Sequence, residues 1–237
     1  TTVSRSVERL GDAAAAIAVV TNEDIRRSGA TRLPEALRGV PGLHVAQRNS
    51  NYWVVSSRGF SGSNSEKLLV LSDARSLYTP LFAGVLWDVQ DYLLQDIDRI
   101  EVIRGPGATL WGSNAVNGVI NIITKHSRDT QDLYLETGSG SEQEIIAGAR
   151  YGGTIGEQGS FRVFGKFSEG EDTYHPGTPS ADDWQLGQVG FRSDWEAVQA
   201  TTTLPCGQGF TANGGRARSQ GGELSLQEYT RYLAQFG

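Results

Sequence analysis

Residues 96–125 read DIDRIEVIRGPGATLWGSNAVNGVINIITK. The run Arg99–Arg104 alternates toward a strand, Gly105-Pro106-Gly107 makes a tight turn, and Leu110 and Trp111 ride on a short helical turn. A loop punctuated by glycine follows, and Val119–Ile123 has the continuous apolar character of a buried strand. The spacing from Gly107 to Gly112 imitates a phosphate-binding loop, but Ser113 stands where that loop requires lysine, so a nucleotide reading fails. What remains is two strands joined by a structured, glycine-rich connection.

Upstream, the pattern mixes helix and strand. Ala15–Val20 reads as a strand, and Thr21 with Asp24 three residues later forms a capping-box start for a short helix ending near Gly29. A second helix is expected from a Thr31 cap, with Pro34 in its first turn and Leu33, Leu37 and Val40 on one face. Strands are expected at Leu43–Gln47, Trp53–Ser57 and Lys67–Leu71, which makes the first half α+β.

Downstream the period becomes 2. In Phe161–Phe167 one face carries Phe161, Val163, Gly165 and Phe167, and the other Arg162, Phe164 and Lys166. Asp132–Thr137, Gln143–Tyr151 and Asp183–Trp195 behave alike, with turn signals between them. Such hairpins suit either a soluble sandwich or a membrane barrel wall.

Charge follows the same division. Residues 1–125 carry 13 basic and 12 acidic groups, 126–200 carry 5 and 13, and 201–237 carry 3 and 2, within a chain of 237 residues and net charge −6. The negative balance argues against nucleic acid as a partner. The longest apolar run, Ala13–Val20, is far below the roughly 20 residues that a membrane-spanning helix needs. One cysteine, Cys206, and three scattered histidines offer no metal-ligand spacing and no internal disulfide. Neither a nucleophile elbow nor a metal motif is present, so no enzymatic chemistry and no cofactor are expected.

Across its whole length, 96–125 resembles the plug-domain signature of TonB-dependent outer-membrane receptors. Supporting segments occur in family order: Ile25–Ala30, Leu33–Leu37, Val40–Leu43, Ser57-Arg58-Gly59-Phe60, Leu68–Leu71 and Tyr78–Phe82. One departure is Ser72-Asp73-Ala74-Arg75, where the family usually has Asp-Gly-Arg, so Ala74 occupies a turn position that favours glycine.

The resemblance implies an α+β plug domain over 12–125. Antiparallel β-hairpins of an incomplete transmembrane β-barrel follow over 126–200, about four strands of a ring of about 22. Residues 1–11 are an N-terminal segment in which Thr2, Val3 and Ser4 are the TonB-box candidate, an unstructured terminus being the alternative. Residues 201–237 are an aberrant Gly-rich tail, read either as native or as the product of a frameshift. The function implied is uptake of a ferric siderophore or a similarly large, scarce nutrient across the Gram-negative outer membrane, energised by TonB. A non-transporting plug-like periplasmic module or a non-functional truncated receptor is the alternative.

The resemblance also implies that Arg58, Glu101 and Arg104 belong to a polar cluster latching the plug to the barrel wall, with Arg104 on a wall carboxylate and the barrel partners outside this chain, the competing reading being solvated strand charge. Tyr78, Phe82, Trp87 and Gln95 are expected on a ligand-facing loop, with core packing as the alternative for the rings.

Overall fold

A computed structural model describes residues 16–59, 67–79, 84–107, 111–141, 144–174, 177 and 181–195, and the backbone of 224–225. Strand β1 (Ala16–Thr21) leads into α1 (Asn22–Ser28). The Thr21 side chain accepts from the Asp24 amide while Asp24 accepts from the Thr21 amide, and Gly29 closes the helix at φ 69°. This is the expected capping box. The second helix differs: α2 is Leu33–Ala36 with Arg32, not Thr31, at its N-cap. Thr31 instead donates its amide and hydroxyl to Glu35, one residue too early to cap. Leu33, Leu37 and Val40 are nevertheless all buried.

Strands β2 (Leu43–Gln47) and β3 (Trp53–Ser57) form a hairpin. β4 (Leu68–Ser72), β5 (Arg75–Ser76), β6 (Ile97–Arg104) and β7 (Gly118–Thr124) join β1 in a sheet of order β1-β6-β7-β4-β5. β4 and β7 are its one parallel pair, and both are buried almost throughout, as a strand covered on two faces must be. The main core gathers Ile25, Leu37, Val55, Ile97, Ile100 and Ile120 between this sheet and the helices. The β4–β5 turn has Asp73 at φ 45° and Ala74 at φ 71°. The missing glycine therefore leaves an alanine in the left-handed region.

A 3-10 turn at Ser127–Thr130 leads to the second sheet, β8 (Asp132–Gly138), β9 (Ile145–Ile155), β10 (Gly159–Gly170) and β11 (Trp184–Trp195), antiparallel in sequence order. These match the four expected segments. A two-residue strand β12 (Leu224–Ser225) pairs with β11 at Val189 and Gln188. No helix among the described residues is long and apolar enough to cross a membrane.

Candidate functional site

Alternation along the second sheet is inverted relative to a soluble protein. Leu133, Leu135, Val163 and Phe191 are 65, 64, 45 and 51 % exposed, whereas Arg162 and Lys166 are 3 and 4 % exposed. The apolar face looks outward and the charged face is covered by the first domain. Wall strands of a membrane barrel need this polarity, because lipid solvates the outer face and the lumen is polar.

The covered face is held by ion pairs that cross between the two sheets. Lys166 Nζ lies 2.6 Å from Asp91 Oδ1, with both side chains 1 % exposed, and it also donates to the Thr31 and Tyr92 carbonyls. The second Asp91 oxygen accepts from the Ser168 hydroxyl at 2.7 Å, and the Asp91 amide donates to Gln188 Oε1. The pair is thus hydrogen-bonded on every side, as two charges taken out of water must be. Asp96 pairs with Arg150 and stands 3.6 Å from Arg162 Nε, while Arg162 also donates to the Lys125 carbonyl. Arg192 meets Asp73 at 3.1 Å and the Thr124 hydroxyl at 2.7 Å, and pairs within its own strand with Asp194. Asp194 in turn accepts from the amide and hydroxyl of Ser127.

Lys125 lies beside this cluster and donates to Asn22 Oδ1. Burial is the main reason that its ammonium is held below the ordinary lysine range; Asp96 opposes the shift, and Arg150 and Arg162 add to it. Shape complements charge at Gly148, where a Cβ would stand 2.6 Å from Leu93 Cδ2. Only glycine lets the first domain's Leu93 reach the wall at that height.

The wall's two ends differ. Residues 156–158 make a tight turn between β9 and β10, and the β8–β9 and β10–β11 connections lie at the opposite end of the sheet. At that opposite end the β2–β3 tip meets the β10–β11 connection. The Ser50 amide donates to Asp182 Oδ2 at 2.8 Å, and its hydroxyl accepts from Trp184 Nε1 at 3.0 Å. The Arg32 guanidinium lies 4.4 Å from the centre of the Trp184 ring, and burial holds it below its ordinary pKa. Beside them opens a cavity of about 420 Å³ lined by Gln47, Arg48 and Asn49 of the tip and by Ser141, Asp172 and Tyr174 of the connections.

The structure redistributes the expected residues. Glu101 is fully buried and receives Arg99 Nε at 2.9 Å within its own strand, not a wall cation. The Arg104 chain lies over Gly42, where a Cβ would stand 3.0 Å from its Cδ, and its buried Nε has no hydrogen-bond partner among the described residues. Arg58 sits beside Gly105. Arg58 and Arg104 thus lie near the Gly105 turn and Glu101 lies within β6, and none of the three pairs with β8–β11 among the described contacts. Where the first domain meets the wall, the first domain supplies carboxylates and the wall supplies cations, the opposite of the sign expected for Arg104.

Trp87 is 1 % exposed in the main core, on the 3-10 turn Trp87–Val89, so it is not a ligand-facing ring. Tyr78 is half-buried beyond β5, whereas Gln95 sits on the 3-10 turn before β6, where its carbonyl accepts from Asn22. They lie on different segments and form no common loop. Phe82 and Thr2, Val3 and Ser4 fall outside the described residues. Asp73, Asp91, Asp96, Arg150, Arg162, Lys166 and Arg192 were missed, although one signal pointed to them. Four of the five bases in 126–200 stand at inner positions of the alternation, inside a segment that is otherwise acidic.

Comparison with known proteins agrees with this architecture. Residues 9–119 match the TonB-dependent Receptor Plug Domain. The chain is 33 % identical over 194 residues to the vitamin B12 transporter BtuB of Vibrio cholerae serotype O1, covering 81 % of this chain and 31 % of that protein. It is 29 % identical over 217 residues to the protein of the same name from Photobacterium profundum, covering 83 and 35 %. It therefore spans about a third of the length of these curated relatives, which are transporters rather than enzymes.

Among solved structures, the siderophore receptor PirA from Acinetobacter baumannii matches with a TM-score of 0.58 at 22 % identity, over 77 % of this chain and 30 % of that one. The ferric yersiniabactin uptake receptor FyuA from Yersinia pestis matches with a TM-score of 0.57 at 22 % identity, over 81 and 31 %. At these identities the likeness is one of fold.

Proposed function

Because the chain belongs to the TonB-dependent receptors, proteins of the outer membrane, and carries their plug domain in residues 9–119, we propose that it forms the plug and first wall strands of a transporter for a large, scarce nutrient. The observation that carries this reading is the inverted polarity of β8–β11, apolar toward the outside and charged toward the plug. A non-transporting periplasmic module has no use for an outward row of Leu133, Leu135, Val163 and Phe191.

The cavity beside Ser50 and Tyr174 is the outer-side ligand surface in this reading, in place of the aromatic set expected from sequence. Its lining is chiefly hydrogen-bonding and includes Arg48, Glu171 and Asp172, which suits a ligand rich in amides and hydroxyls. Together with the identity to the B12 transporters, this favours a corrinoid over the ferric siderophore expected from sequence. TonB would engage the N-terminal segment that holds Thr2, Val3 and Ser4 by strand addition. Arg58 and Arg104 remain assigned to latching against wall strands other than β8–β11.

The test is growth of a receptor-deficient strain expressing the receptor that carries this chain, on limiting cyanocobalamin and on limiting ferric enterobactin, with and without TonB. TonB-dependent growth on cyanocobalamin is expected. Growth only on the ferric chelate would move the ligand assignment, and growth on neither, with the receptor present in the outer membrane, would defeat the transport reading.

A further inference from the structure

The wall places like charges side by side. Arg162 and Arg192 are direct cross-strand partners on β10 and β11, and Arg150 on β9 is the diagonal neighbour of Arg162, since it pairs with Phe164. Unscreened cations in such positions repel one another and weaken a sheet. Their side chains are only 4 to 11 % exposed, so water does little to screen them. What screens them is the plug, through Asp96 against Arg150 and Arg162 and Asp73 against Arg192, with Asp194 the wall's own contribution. Lys125 stands alongside, between Asp96 and Asp98 on one hand and Arg150 and Arg162 on the other. Arg150 Nε remains buried without a hydrogen-bond partner.

We propose that Arg150, Arg162 and Arg192 form an oxyanion-binding strip on the lumen wall, occupied by the plug carboxylates Asp96 and Asp73 at rest and by a phosphate or carboxylate group when the plug is displaced. Guanidinium groups suit this exchange, because their planar donors bind a carboxylate and a phosphate with the same fork geometry. A plug that shifts in order to open a path leaves Arg150 and Arg162 without a counter-charge and Arg192 with Asp194 alone. An incoming oxyanion replaces the lost counter-charge and lowers the cost of the open state, as any ligand specific to one state does. The oxyanion can be free in solution or borne on the cargo; the chemistry at the strip is the same. The inference rests on the reading that β8–β11 line a barrel around the plug, which uptake measurements test separately.

Asp96→Asn vacates one resting site without removing the strip. In the detergent-solubilised receptor, the thermal midpoint of this variant should rise by several degrees as inorganic phosphate is added, compared with chloride at equal ionic strength. The parent, whose site is filled, should show no such difference. Asp73→Asn should respond in the same way from the other end of the row. Adding Arg162→Gln to Asp96→Asn should abolish the response. A dialkyl phosphate, standing for a phosphodiester carried on cargo, separates the sources. A response to phosphate alone assigns the strip to the free ion, and a response to both extends it to cargo. If neither Asp96→Asn nor Asp73→Asn distinguishes phosphate from chloride, or the parent responds equally, the proposal is overturned. An Asp96→Asn variant that does not fold in either salt leaves the decision to Asp73→Asn.

Discussion

The plug sheet and the wall sheet obey opposite rules. In β4 and β7 of the plug, apolar side chains are buried and the strands read as continuous Leu, Val and Ile. In β9–β11 of the wall, Arg150, Arg162 and Lys166 are buried and Tyr151, Val163 and Phe191 are exposed. The plug gains stability by removing hydrocarbon from water. The wall leaves its hydrocarbon for a lipid solvent and spends its inner face on charge recognition. A buried residue therefore means cohesion in one sheet and docking in the other.

The largest effect should come from breaking the docking contact that is best shielded. Lys166→Ala leaves Asp91 buried without its counter-ion and should destabilise plug docking by about 3–5 kcal/mol, read by urea unfolding in detergent micelles. A double-mutant cycle with Asp91→Asn should show a combined loss well below the sum of the single losses. Additive losses would mean that the pair is not coupled and that the wall's inner face does not dock by charge.

Next in size is the contrast in cohesion. Leu37, fully buried in the plug, should cost about 2–5 kcal/mol on truncation to alanine. Leu133, 65 % exposed, should cost well under that in the same unfolding assay. The order reverses for Val163→Arg, which should impair membrane assembly by about 2–4 kcal/mol if it lies near the bilayer centre, measured by partitioning between folded and unfolded bands in lipid vesicles. Equal tolerance of arginine at Val163 and at the loop residue Tyr174 would remove the lipid-facing assignment.

A smaller gain is expected in the β4–β5 turn. Ala74 sits at φ 71°, where a Cβ is unfavourable, so Ala74→Gly should stabilise the plug by about 1 kcal/mol. An unchanged midpoint would show that the neighbouring Asp73 contacts to Thr124 absorb the strain.

The smallest effect is one of pH. The hydrogen bond from the Thr21 hydroxyl, helped by the Thr21 amide, holds Asp24 below its ordinary value of 3.8. A depressed folded-state pKa contributes stability above the ordinary value and loses it as pH falls through the depressed one. Amide protection at the start of α1 should therefore decline below about pH 4, and Asp24→Asn should flatten that decline. An identical profile in the variant would detach the cap from the titration.

Much of this was legible in residue order. The Thr21–Asp24 box, the Gly29 stop and the four wall segments came from local chemistry and from a period of 2, both of which act over a few residues. The unusual turn at Ala74 was likewise visible as a missing glycine. The docking residues were not, because Asp73, Asp91 and Asp96 lie in loops or at strand ends, where a carboxylate is normally solvated. Arg58, Glu101 and Arg104 drew attention by belonging to conspicuous motifs, yet their nearest partners are their own plug.

The sequence alone determined which residues alternate, where the turns fall, and that one wall face is apolar and the other charged. It could not say which face is inside, since alternation is symmetric under exchange of the two faces. Only the tertiary structure decided that. The connection through Ser127–Thr130 brings the charged face against Asp73, Asp91 and Asp96, because three carboxylates leaving water need cations, and Arg150, Arg162, Lys166 and Arg192 supply them.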